Sequence, residues 1–143
     1  MFPKTIILRH RRENLKKCSL RGLEEREDMA FYSYPTDQLP SLQNYCLLTL
    51  GAPPLSPSDH DLGIFLIDGT WRYAEKMFRQ LPLPHAFVCR SLPANARTAY
   101  PRHQENAQGL ASVEALYLAY QILGRPVDGL LDHYHWKSLF LQQ

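Results

Sequence analysis

Short apolar runs alternate along this chain with polar or proline-punctuated stretches, and their lengths and spacings separate strands from helices. Thr5 to Leu8 is a β-branched run suited to a buried strand. Tyr45 to Leu50, Leu62 to Ile67 and Ala86 to Leu92 predict three more. Leu62 to Ile67 is continuously apolar apart from its glycine, the pattern of a strand covered on both faces. Directly after it, Trp71, Ala74, Met77, Phe78 and Leu81 recur at helical spacing, with Arg72, Glu75, Lys76 and Arg79 on the other face. Leu110, Val113, Leu116, Tyr117, Tyr120 and Leu123 repeat that spacing, and Gly124 with Pro126 beyond supplies a stop. A short helix is predicted over Leu20 to Met29, where Ser19 stands as N-cap before a Leu-, Glu- and Arg-rich segment, and a last one over Val127 to Phe140. Between them, residues 51 to 59 form a proline-rich loop that continues neither regular structure. Strands alternating with helices predict an α/β fold built on a parallel sheet flanked by helices.

Composition narrows this picture. A chain of 143 residues with 45% hydrophobic content supports one core, so a single domain over residues 1–143 is expected, with the basic strand and helix segment of about residues 1–30 packed on it. Sixteen Lys and Arg against fourteen acids leave +2, a balance that neither demands nor excludes a nucleic-acid partner. Apolar stretches of about six residues fall far short of the roughly 20 that span a membrane, so a soluble protein is expected. The apolar run after Met1 is too short for a signal-peptide core. Cys18, Cys46 and Cys89 are odd in number and widely spaced, which speaks against a disulfide framework or thiolate zinc site and for a reducing cytoplasm.

Asp68 is the residue most suggestive of chemistry. An acid directly after a buried strand lies at the carboxyl edge of a parallel sheet, where open α/β folds bind ligands, although Asp is equally at home as the N-cap of the next helix. Gly69 permits a tight turn or a close approach, and the helix beginning beyond Thr70 offers free amides. Arg9, His10, Arg11 and Arg12, continuing through Lys16 and Lys17 to Arg21, form a cationic tract whose natural use is phosphate contact. Arg90, Arg97, Arg102 and His103 form a second basic group in a loop of about seventeen residues, a length more often functional than idle. Tyr100 adds a ring suited to base stacking. Ser112 and Glu114 read as a cap and a dipole partner for the helix they open. His133 and His135, two apart, do not make a metal site by themselves, and no metal is expected. Dinucleotide, P-loop, zincin and serine-hydrolase fingerprints are missing from the sequence.

Ile67-Asp68-Gly69-Thr70-Trp71-Arg72-Tyr73-Ala74-Glu75-Lys76-Met77 resembles the signature of the DTW-domain family, Asp-x-(Thr or Ser)-Trp followed by Ala and Met on a helix. Leu110-Ala111-Ser112-Val113-Glu114-Ala115 resembles the family's second element, Leu-Ser-Thr-x-Glu-Ala. Lys16-Lys17-Cys18-Ser19 and Leu55-Ser56-Pro57-Ser58-Asp59 are similar to elements of the related ribosomal RNA aminocarboxypropyltransferases. The chain departs from bacterial DTW proteins in lacking their N-terminal cysteine cluster, and from the ribosomal enzymes in having Leu15 and Leu20 where Pro and Gly are usual.

The resemblance implies a SPOUT-like fold with a C-terminal trefoil knot. It also implies S-adenosylmethionine as donor and transfer of its 3-amino-3-carboxypropyl group to a uridine or modified uridine in tRNA or rRNA. By the same resemblance, Ser19 and Ser112 would contact the donor's amino-acid part. Leu50, Trp71, Leu92, Leu110 and Ala115 would wall its adenosine pocket, with Thr70 beside them. Asp68 would accept a proton or orient the cationic donor, and Arg9, Arg11, Arg12, Lys16, Lys17, Arg97 and Arg102 would hold RNA phosphates. A SPOUT-type RNA methyltransferase and a non-catalytic RNA-binding or ribosome-assembly module are the alternatives.

Overall fold

The apolar runs become strands of one parallel sheet. A computed structural model describes residues 2–12, 18–93, 95, 96, 99 and 110–142. Its strands are β1 (Thr5–His10), β2 (Met29–Tyr34), β3 (Tyr45–Leu48), β4 (Gly63–Asp68) and β5 (Val88–Arg90). They lie in the order β2-β1-β4-β3-β5, each parallel to its neighbours. A 3-10 turn (Pro57–Asp59) follows β3, and helices α1 (Trp71–Arg79), α2 (Ser112–Leu123) and α3 (Lys137–Leu141) complete the set.

Strand alternation divides the core into two layers. On the α1 side, Ile6, Leu8, Leu47 and Phe65 pack with Met77, Leu81 and Phe87. On the α2 side, Ile7, Cys46, Ile64 and Leu66 pack with Val113, Leu116, Ala119, Tyr120 and Leu123. Residues after α2 return to this second layer, where Leu130, Leu131, Tyr134 and Phe140 are buried. Tyr120 ties three segments together: its hydroxyl lies 2.7 Å from Thr5 Oγ1 and donates to Asp28 Oδ2 at 3.1 Å, and Arg26 clamps Asp28. Among the described residues no helix is long and apolar enough to cross a membrane.

Three sequence expectations are corrected. The helix predicted over Leu20 to Met29 is a chain of tight turns, with Arg21, Leu23, Arg26 and Met29 each donating its N–H to the carbonyl three residues back. Gly22 explains this, because its φ of 90° breaks any right-handed helix. A Cβ at Gly22 would also fall inside the ring of His133, so the turn is shaped by a residue far along the chain. Met29, expected to end that helix, opens β2, an aromatic strand that the sequence reading passed over. The last predicted helix shrinks to Lys137–Leu141, preceded by turns in which Leu130, Asp132 and Tyr134 bond three residues back.

Candidate active site

From β1 the chain leaves toward β2 on one side, and from β4 it leaves toward β5 on the other. The carboxyl ends of these two adjacent strands therefore flank the point where the winding reverses, the place where doubly wound sheets form their crevice. Arg9 and Asp68 stand opposite each other there in the β1–β4 register. Alternation turns both side chains toward the α2 layer, in line with Ile7 and Leu66.

Asp68 is buried, at 4% exposure, and collects donors from three segments. Ser112 Oγ donates to Oδ1 at 2.7 Å, while Cys18 Sγ at 3.2 Å and Arg9 Nε at 3.3 Å both donate to Oδ2. A carboxylate offers about four acceptor directions, so three donors leave about one open. Asp68 does not cap α1: Thr70 holds that position and its Oγ1 accepts from Tyr73 N–H at 3.4 Å. The N-cap reading of Asp68 is thereby set aside, and its carboxylate is committed to the cluster.

Arg9 spans this cluster. Its Nη1 pairs with Glu24 Oε2 at 3.2 Å, its Nη2 donates to Cys18 Sγ at 3.5 Å, and its guanidinium lies 4.7 Å from the centre of the Phe31 ring. Burial works against the Arg9 charge, but its neighbours Cys18, Asp68 and Glu24 outweigh it and raise the pKa. Burial first, then the Asp68 charge, push the Cys18 thiol up to about 12. At neutral pH Cys18 is therefore a neutral donor, and Asp68 and Glu24 are the anions that hold Arg9. Burial alone would raise Glu24, yet the Gly22 N–H at 2.9 Å and Arg9 keep its carboxyl below the usual range.

The start of α2 is built from distant residues. Ala111 sits at the N-cap with no side chain able to accept a hydrogen bond, and Ser19 Oγ takes that duty by accepting from Val113 N–H at 3.1 Å. Ser112 is thus not the cap the sequence led us to expect; its hydroxyl is spent on Asp68. Glu114, expected as a surface dipole partner, is fully buried. Its carboxylate accepts from Ala99 N–H and Ala111 N–H, both at 2.8 Å, and from Tyr134 Oη–H at 2.9 Å. One side chain therefore pins the loop entering α2, the helix start and the C-terminal segment.

The other expected site residues fall along the same edge of the sheet. The loops after β3 and β5 are laced by Thr49 N–H to Arg90 O, Leu55 N–H to Ser91 O and Ser91 N–H to Pro53 O at 2.8–2.9 Å. This holds Leu50, 57% exposed, and the half-buried Leu92 at neighbouring strand ends. Arg90 also pairs with Asp59 at 3.2 Å. Trp71 opens α1, Leu110 leads into α2, and buried Ala115 lies one turn beyond Ala111. Arg11 and Arg12 are exposed, whereas Arg9 turns inward. Lys16, Lys17, Arg97 and Arg102 lie outside the described residues. Sequence reasoning gave Cys18, Glu24 and Glu114 no part in the site, although Cys18 and Glu114 stand inside two of the family-like elements, Lys16-Lys17-Cys18-Ser19 and Leu110-Ala111-Ser112-Val113-Glu114-Ala115. A cavity of about 400 Å³, lined in part by Leu8, Tyr34, Leu39, Met77, Leu81 and Phe87, lies in the α1 layer and holds none of these residues.

The model of the DTW domain matches residues 1–139. The chain belongs to the DTW-domain family. Among solved structures, this DTW-domain protein is similar in fold to the SAM-dependent rRNA:acp-transferase Tsr3 from Vulcanisaeta distributa. The TM-score is 0.76 at 24% identity, covering 99% of this chain and 78% of that one. No curated protein sequence matches.

Proposed function

We propose that this DTW-domain protein transfers the 3-amino-3-carboxypropyl group of S-adenosylmethionine to a uridine or modified uridine in rRNA or tRNA. The observation that carries the proposal is the Asp68 cluster at the strand reversal, which joins the family's two signature segments through the Ser112 to Asp68 hydrogen bond. The fold shared with an rRNA:acp-transferase supports the same reading.

The donor, bound as a substrate, is a sulfonium whose γ-carbon can be attacked. A C–N bond to the RNA base forms, the C–S bond breaks with its electron pair going to sulfur, and methylthioadenosine leaves while the base nitrogen loses its proton. Positioning chooses which carbon faces the nucleophile. Ser112, whose hydroxyl is fixed on Asp68, and Ser19, whose hydroxyl is fixed at the neighbouring start of α2, fit the donor's amino-acid part. The apolar side chains of Leu50, Leu92, Leu110 and Ala115 suit the adenosine, with Thr70 and Trp71 at the head of α1. Asp68 supplies a fixed negative charge for the cationic donor and one open acceptor direction for the departing proton; both duties require its charge. Arg9 holds that carboxylate in place. Arg11 and Arg12, with Lys16, Lys17, Arg97 and Arg102, are assigned to phosphates. With this reading go the SPOUT-type classification, a C-terminal trefoil knot and a cytoplasmic location.

The test incubates the protein with S-adenosylmethionine and rRNA or tRNA and measures nucleoside mass together with the nucleoside by-product. An aminocarboxypropyl gain with methylthioadenosine supports the reading. A methyl gain with S-adenosylhomocysteine replaces it by a methyltransferase, and no donor binding by calorimetry leaves a non-catalytic RNA-binding module.

A further inference from the structure

We propose that the Arg90–Asp59 ion pair is a positioning device for the donor: it fixes the two loops that take the adenosine half, which puts Arg90 on the donor side and not among the RNA-binding cations. The proposal rests on the S-adenosylmethionine-dependent reading and names the residues that hold its nucleoside subsite in shape.

Two features of the sequence have no role in the chemistry above: the Leu55-Ser56-Pro57-Ser58-Asp59 element, and Arg90, which sequence groups with Arg97, Arg102 and His103. The structure joins them. Asp59 Oδ2 accepts from Ser56 N–H at 3.1 Å, which closes the 3-10 turn on itself, and from Arg90 Nε at 3.2 Å. Arg90 Nη1 donates to the carbonyl of the preceding residue, Cys89, at 2.8 Å, so two of the three guanidinium nitrogens are engaged within the protein. The Asp59 side chain is 11% exposed and that of Arg90 26%, so salt screens this pair less than one on the open surface. A phosphate would have to compete with that carboxylate for Arg90.

The pair stands at the root of an exposed strap. Residues 50–54 leave β3, turned by Gly51 at a φ of 76°, and are exposed apart from the half-buried Ala52. Ser91, directly after Arg90, holds the strap at three points: its N–H donates to Pro53 O at 2.9 Å, its Oγ to Ala52 O at 2.8 Å, and its carbonyl accepts from Leu55 N–H at 2.8 Å. Arg90 O accepts from Thr49 N–H at 2.9 Å. Arg90 thus grips the strap's start through its carbonyl and, through Asp59 and Ser56, the residue that follows its buried end at Leu55. Leu50 follows Thr49 and Leu92 follows Ser91, so both side chains assigned to adenosine hang directly from this lacing.

Placement agrees with that role. β3 separates β5 from β4, and neighbouring strands lie about 4.8 Å apart, so the Arg90 end of β5 is about 10 Å from the Asp68 end of β4. A donor whose sulfonium lies at Asp68 reaches these loops with its nucleoside. Exposed chain that became ordered only on binding would weaken affinity by its ordering entropy, and a strap fixed in advance avoids that loss.

The test compares wild type, Arg90→Gln and Ser91→Ala. Calorimetry measures binding of S-adenosylmethionine and of methylthioadenosine, which carries the nucleoside without the amino-acid part. A KCl series with a 12-nucleotide oligouridylate gives the RNA salt slope, and transfer is timed at saturating donor. Arg90→Gln should weaken both nucleosides by the same factor, about 10-fold, and Ser91→Ala by about 5-fold. The salt slope and the transfer rate at saturating donor should stay at wild type, because only binding common to ground and transition states is lost. Ser91→Ala decides the matter if Arg90→Gln does not fold. Wild-type affinity for methylthioadenosine in a folded variant overturns the proposal, as does a loss confined to S-adenosylmethionine. A salt slope lowered by about 0.7 with donor affinity unmoved also overturns it and returns Arg90 to the phosphates. Wild-type protein that binds neither nucleoside overturns the donor reading itself.

Discussion

Replacing Asp68 by Asn separates the carboxylate's charge from its shape. Asn can turn its carbonyl toward Arg9 and Cys18, the donors on Oδ2, and its amide toward Ser112, whose hydroxyl rotates to accept. All three contacts survive, and what disappears is one negative charge facing a largely buried guanidinium. A hydrogen bond to a charged group contributes about 1.5–3 kcal/mol against about 0.5–1.5 for a neutral one, so the difference is about 1–1.5 kcal/mol. Arg9 keeps its second anion, Glu24, which prevents the larger loss expected when a buried cation is left with no partner. For a domain of this size that free energy lowers Tm by about 2–6 °C. Transfer to RNA should fall by about 10²-fold or more, the scale of a positioned acid or base. Donor Kd measured by calorimetry separates the two duties of the charge. A weakened Kd assigns Asp68 to the cationic donor; an unchanged Kd with slowed single-turnover transfer assigns it to the departing proton. Asp68→Ala should melt far lower, since it leaves all three donors unanswered. A folded Asp68→Asn protein that transfers at the wild-type rate would refute the argument and leave the carboxylate as a structural bracket.

Three further outcomes follow from the same contacts. Ser19→Ala removes the oxygen that caps α2 from another segment, which should cost about 1 kcal/mol and about 2–4 °C in Tm by thermal melting, and an unaltered Tm would show that water replaces it. Glu114→Gln must turn an amide group toward at least one of the N–H or O–H donors it now satisfies, at about 1–3 kcal/mol for each buried backbone amide left unanswered, so wild-type denaturant stability would contradict the pinning role. His10→Phe keeps a ring on Tyr73 but removes a titration: the folded pKa is lowered by burial and by three cations, so the unfolded chain protonates first, and the contribution is complete above about pH 6.5 and is lost as pH falls below it. Stability curves between pH 7 and 5.5 should therefore be flatter for the variant, and parallel curves would reject the sign.

What was legible in the sequence was what local pattern dictates. β1, β3, β4 and β5 follow from apolar runs, and α1 and α2 from 3.6-residue spacing, each within a few residues. What escaped depends on residues distant in the chain. The Leu20 to Met29 segment has helical composition, yet Gly22 turns it because His133 occupies the adjoining space. Once that segment is irregular, Met29 is free to begin an aromatic edge strand. Ser112 was read as a cap because Ser favours helix starts, but Ser19 fills the role and releases the Ser112 hydroxyl for Asp68. Arg9 read as one cation in a surface tract, because nothing local shows that β1 runs two residues past Leu8 and meets Asp68 in register.

That register makes the sheet's packing and the proposed chemistry depend on one pattern. Ile6 and Leu8 fill the α1 layer and Ile7 the α2 layer, so a slip of β1 by one residue would put all three side chains on the wrong face and is strongly disfavoured. The same constraint settles where Arg9 and His10 go. Arg9 must enter the α2 layer beside Asp68, and His10 must enter the α1 layer against Tyr73. Exchange of the two would bury an imidazole where Asp68 needs a permanent cation, and would place a guanidinium where a flat ring now stacks. The Arg9–Asp68 pair and the His10–Tyr73 stack are thus separated by the thickness of one strand and joined at its end.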